Sequence, residues 1–71
     1  MQTGHSYLIV NKVGYRNIRK IKCISVTKTC YEMLWQNSMN GNTVWFDIAE
    51  FDVDYQVIED LGNLLSQSII N

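Results

Sequence analysis

Three short runs in the middle of the chain limit the fold more than any other feature: IKCISV (21–26), TCYEMLWQ (29–36) and TVWFDI (43–48). Each is dense in β-branched and aromatic residues, and the third alternates apolar with polar, the period of a half-buried strand. VTKT supplies a tight turn between the first two runs. NSMNGN, between the second and third, contains Asn40-Gly41, the strongest short hairpin signal.

Turn position fixes register, and register fixes which side chains share a face. A first turn at Thr27-Lys28 sets Val26 opposite Thr29, Ile24 opposite Tyr31 and Lys22 opposite Met33. A two-residue second turn at Asn40-Gly41 sets Gln36 opposite Trp45 and Trp35 opposite Phe46. Both turns agree on a core face of Ile24, Val26, Tyr31, Met33, Trp35, Val44, Phe46 and Ile48. The other face carries Ile21, Cys23, Ser25, Cys30, Glu32, Leu34, Trp45 and Asp47, a surface that is not fully polar.

Outside these runs the pattern is looser. SYLIVNKV reads as a strand and GYRNIRK as a loop leading into the sheet. AEFDVDY has no clean period and reads as a tight turn or short 3₁₀ segment with Phe51 tucked inward. YQVI closes the sheet. In the tail, Leu61, Leu64, Leu65 and Ile69 have helical spacing, so a short C-terminal helix is an option, weakened by Gly62.

The 71 residues make one domain: a strand or loop over 1–17, a β core over 18–60 and a tail or helix over 61–71. A chain of this size buries only about 60% of its unfolded surface, and its core supplies roughly 3–5 kcal/mol. Within that limit, 46% apolar residues and 11% aromatics support a packed core and argue against disorder. Three or four strands sharing one core face in so short a chain bury it by coiling the sheet. The expected fold is therefore all-β or mostly β, a small strongly bent antiparallel barrel. A four-stranded sheet backed by a terminal helix is the second choice.

IKCISVTKTCYEMLW, then NTVWFDIAEF, then YQVIEDLG resembles small Src-homology-3-like barrel proteins, many of them carried by bacteriophages and mobile elements. The similarity covers about positions 18 to 62. It consists of a Thr-containing first hairpin, a Trp after an Asn/Gly turn, an acidic-Phe turn, and a closing Val-Ile-Glu-Asp strand end. It implies a fold and a phage setting, with no activity attached. The ALYDY stretch and paired aromatic grooves of peptide-binding Src-homology-3 domains are missing, so binding of proline-rich peptides does not carry over.

Charge is sorted along the chain. The six basic residues lie between Lys12 and Lys28, and six of the seven acidic residues lie between Asp47 and Asp60. One reading places the basic hairpin beside the acidic closing strand as an internal seam, worth about 0–1 kcal/mol per exposed pair. A second is steering of a charged partner, and a third is self-association into a homodimer.

Catalytic signatures are not found: no phosphate-binding Gly-rich loop, nucleophile elbow or His-Glu-x-x-His motif. Two cysteines and one histidine are too few for a four-ligand zinc site, so no metal or cofactor is expected. His5 falls near a terminus expected to be loose. The carboxylates of DVDYQVIED read as a solvated face. Cys23 and Cys30, diagonal on one face, are expected to remain unpaired thiols. No run reaches the ~18 apolar residues of a membrane span, and MQTGHSYLIV lacks the n-region of a signal peptide, so the expected location is the cytoplasm, that of a host cell if phage-encoded.

What remains is binding. The preferred reading is a non-enzymatic protein-binding module, in the phage setting an inhibitor or modulator of a host (defence) protein. Its contact residues are Trp45, Leu34 and Ile21, with Asp47, Glu50, Asp52 and Asp54 at the flank. The outward Trp45 is expected to be covered by the C-terminal LLSQSII segment, by a foreign partner or by a second copy, in that order, and Trp is over-represented among interface hot spots. The alternative is a nucleic-acid-binding barrel using Tyr15, Arg16, Arg19, Lys20, Lys22 and Lys28. A net charge of -1 and a pI near 5.6 weigh against it.

Overall fold

A computed structural model describes residues 1–62. The protein is mostly β: five antiparallel strands in one sheet, with one short helix. The strands are β1 (Ser6–Asn11), β2 (Ile18–Val26), β3 (Cys30–Trp35), β4 (Val44–Asp47) and β5 (Tyr55–Gly62), and α1 spans Ile48–Asp54. The order across the sheet is β4-β3-β2-β1-β5, so β4 and β5 are its two edges. The tail segment proposed as a helix lies outside the described residues from position 63 on; Leu61 and Gly62 belong to β5.

The first hairpin turns one residue later than its sequence indicates. Thr27 Oγ1 accepts from the backbone N–H of Thr29 and of Cys30, and the Thr27 N–H donates to the Cys30 carbonyl. Lys28 and Thr29 are thus the turn residues, and Val26 pairs with Tyr31. An irregularity between Cys23 and Ser25 then inserts Ile24 as an unpaired residue, after which Cys23 faces Met33 and Ile21 faces Trp35. One extra residue reverses the facing of everything beyond it. Ile21 and Cys23, expected outside, are fully buried in the core. Lys22, expected opposite Met33, instead pairs with Leu34 and points out.

The second connection is also longer than a two-residue turn. It runs over 36–43, held by Asn40 Oδ1, which accepts from the Asn42 N–H and the Ser38 hydroxyl. Gly41 takes a left-handed φ of 71° there, a conformation that favours glycine. Tyr31 rather than Trp35 faces Phe46, and Glu32 faces Trp45. The slip is even-numbered, so β3 and β4 keep the expected faces. Val26 and Val44 lie at the rim of the core face, each about 40% exposed.

The core joins Tyr7 and Ile9 of β1, Ile21 and Cys23 of β2, Tyr31 and Met33 of β3, and Phe51 of α1. Phe51 is the inward residue of the acidic-Phe segment, on an α-helical turn rather than a 3₁₀ one. Asp47 caps that helix, its Oδ1 accepting from Ala49 N–H at 3.0 Å and from Glu50 N–H at 3.4 Å. Phe51 packs edge-on against Tyr31 and Phe46, with ring centroids at 5.6 and 5.4 Å, and lies tilted by 34° against Tyr55 at 5.1 Å. Phe46 on one edge strand and Tyr55 on the other are themselves 6.1 Å apart. The sheet coils enough for its edges to share an aromatic cluster, although β4 and β5 are not paired with each other.

Candidate protein-binding surface

Trp45 sits on β4, on the face turned away from the core, and is 56% exposed. Its cross-strand partner is Glu32. That carboxylate is fixed by two hydroxyls, accepting from Ser25 at 3.0 Å and from Thr43 at 2.6 Å. Leu34, one step along β3 on the same face, is half-buried. Trp45, Glu32 and Leu34 therefore form a small patch on one face of the sheet. Ile21, predicted to belong to it, does not: the irregularity at Ile24 sends it through the sheet into the core.

The acidic members lie at the far end of the same strand. Asp47 follows Trp45 by two residues and is exposed, and Glu50, Asp52 and Asp54 are exposed on α1. Asp47-x-x-Glu50 has the spacing of a helix N-terminal signature, and it is the signal that would have revealed α1 from sequence. Lys28 shares a shallow cleft with Asp47 and Asp52, without an ion pair among the described residues.

The backbone of β4 adds a second feature. The Ile48 N–H donates at 2.8 Å to the carbonyl of Thr29, the residue just before β3, while the Cys30 carbonyl accepts from Thr27 on the other side. Antiparallel alternation then turns the peptide groups of Phe46 towards β3, and the N–H and C=O of Trp45 away from it. Trp45 offers an indole on one side and, among the described residues, an open peptide donor and acceptor along the edge.

The basic residues do not converge. Tyr15 and Arg16 project from the β1–β2 connection, Tyr15 at 89% exposure. Lys28 is at the opposite end of β2, nine residues long, roughly 25–30 Å away. Lys20 and Lys22 face outward opposite Leu8 and Ser6 of β1. Arg19 turns the other way, its guanidinium 4.4 Å from the Trp35 ring centroid and 5.7 Å from that of Tyr55. It also donates to Asn11 Oδ1 at 3.2 Å, so it closes the open end of the core. Sequence reading missed this role because Trp35 and Tyr55 lie twenty positions apart.

The sorted charges form no direct seam, since β1 lies between β2 and β5. Among the described residues the ion pair is His5–Asp60, at 3.0 Å. The backbone ties the amino terminus to β2 as well: the Gly4 N–H donates to the Cys23 carbonyl and the Cys23 N–H to the His5 carbonyl. The hydrogen bond from His5, with another from the Gly62 N–H, lowers the Asp60 pKa below its usual value. The terminus expected to be loose is thus tied to β2.

Cys23 and Cys30 are free, and they face opposite sides of the sheet rather than one. Burial pushes the Cys23 thiol and the Tyr7 and Tyr31 phenols up. All three stay neutral at pH 7 and behave as core members. Among the described residues no group of His, Cys, Asp and Glu is arranged to hold a metal ion, and no helix is long and apolar enough to cross a membrane.

No protein family, curated protein or solved structure matches this chain.

Proposed function

We propose that this protein is a non-catalytic protein-binding module whose anchor is Trp45. The observation that carries the reading is an exposed indole on an edge strand, beside Leu34 and a Glu32 carboxylate already fixed by two hydroxyls. An aromatic with a polar surround is the arrangement from which interface hot spots are built. The contact set is Trp45 and Leu34 with Asp47 and Glu50, and Asp52 and Asp54 extend its acidic flank. The Src-homology-3-like barrel belongs to the same proposal; the 6.1 Å approach of Phe46 and Tyr55 across the sheet supports it. The role of a phage-encoded modulator acting on a host protein in the host cytoplasm comes from the resemblance of residues 18–62.

Capture from a bacterial lysate tests the reading. Wild-type protein should retain one stoichiometric protein, and Trp45→Ala should lose it while its circular dichroism and melting stay unchanged. Nuclease-sensitive, salt-labile recovery that survives Trp45→Ala but is lost in Arg16→Ala/Lys20→Ala would instead identify a nucleic-acid binder.

A further inference from the structure

We infer that the partner enters as an extended, cationic segment that adds an antiparallel strand to the open edge of β4. This rests on the protein-binding reading and specifies its chemistry. An edge strand is a template for pairing, and natural edges are blunted by lysine, proline, bulges or inward charges. Val44–Asp47 has no lysine, no proline and no register shift, and both Val44 and Trp45 are exposed. The outward N–H and C=O of Trp45 would take the backbone of the incoming strand, with the indole over its side chains. Strand addition of this kind draws affinity from main-chain hydrogen bonds and specificity from alternate side chains.

Charge selects the occupant. Asp47 and Glu50 lie exposed at the C-terminal end of the strand, where it passes into α1. A lysine or arginine on the incoming segment meets these carboxylates. A second copy paired β4 to β4 would bring Val44–Asp47, a strand with no cation to meet these acids, and a nucleic-acid strand would bring phosphates against them. The chain's own residues 63–71, LLSQSII flanked by asparagines, contain no cation.

The test is a titration of the full chain, followed by amide resonances, with an acetylated Lys-Val-Lys-Val-Lys-Val amide. Controls are the same peptide N-methylated at alternate residues, its Glu-for-Lys counterpart, and oligo-dT. The proposal expects shifts concentrated at Val44–Glu50 and at least about tenfold slower exchange of the Trp45 amide with the cationic peptide. N-methylation or Glu for Lys should remove both effects. Unchanged Trp45 exchange at millimolar peptide, or an equal response to either control peptide or to oligo-dT, overturns it. A dimer in sedimentation with the Trp45 amide protected before any peptide is added assigns the edge to a second copy and also overturns it. The two levels separate cleanly. If Trp45→Ala loses the captured partner but peptide never protects the wild-type amide, the anchor stands and strand addition fails. If Trp45→Ala captures the partner as wild type does, the anchor itself fails.

Discussion

The two edges of this sheet are built on opposite plans. β5 is eight residues long, makes two register shifts against β1, and carries Glu59 and Asp60 within the strand, the latter held by His5. β4 is four residues long, pairs with β3 without a shift, and presents Val44 and Trp45. Bulges and in-strand charge blunt an edge against pairing, and β5 has both. β4 has its shortness and a single charge, Asp47, at its last position. Yet Phe46 of β4 and Tyr55 of β5 meet over Phe51, so one aromatic cluster supports both edges. The difference shows that edge character is set by residues on the outward groups and not by the packing beneath.

Removing the shared support should destroy the comparison altogether. Phe51→Ala deletes the ring that touches Tyr31, Phe46 and Tyr55, and truncating a buried Phe typically costs about 3–5 kcal/mol. That is about the whole stability expected of a domain this small, so the variant should lack a cooperative urea transition at 25 °C. Phe46→Ala removes a half-buried member of the same cluster and should lower the urea midpoint by less.

The helix that links the edges can be weakened without touching the cluster. Asp47→Ala removes the cap from the Ala49 and Glu50 N–H groups and should cost about 1 kcal/mol. Asp47→Asn, which keeps an acceptor, should recover most of it in the same urea titration.

Much of β4's plan was legible in the sequence, and the reason is parity. The second connection was placed four positions out in register sum, an even error, so Trp35 and Phe46 stayed inside and Trp45 outside. The first hairpin fared differently. Its turn error was also even, but the unpaired Ile24 added an odd step, which carried Ile21 and Cys23 into the core and Lys22 out. Nothing in ISV marks a bulge: the segment holds no glycine or other residue that local pattern associates with one. The Asp47-x-x-Glu50 signature of α1 was present and unread. The stacking of Arg19 on Trp35 and Tyr55 depends on the coil of the sheet, which local pattern does not carry.

The blunted edge makes a smaller, pH-dependent prediction. Asp60 has a lowered pKa, chiefly from the His5 hydrogen bond, so its folded form binds a proton less readily than the unfolded chain does. Its contribution is therefore present above the ordinary carboxylate value of about 3.9 and is lost as pH falls below it. Asp60→Asn should melt slightly below wild type at pH 7 and level with it near pH 2. A difference that persists at pH 2 would place the effect outside the His5 contact.

The contrast between the edges is tested most directly by amide hydrogen exchange in the free full-length chain, comparing Trp45 with its neighbour Phe46. The N–H of Phe46 faces β3 and that of Trp45 faces away from it. Trp45 should exchange at close to the unprotected rate, at least about tenfold faster than Phe46. Equal protection at the two positions would mean that the edge of β4 is already occupied, and would contradict an open site there.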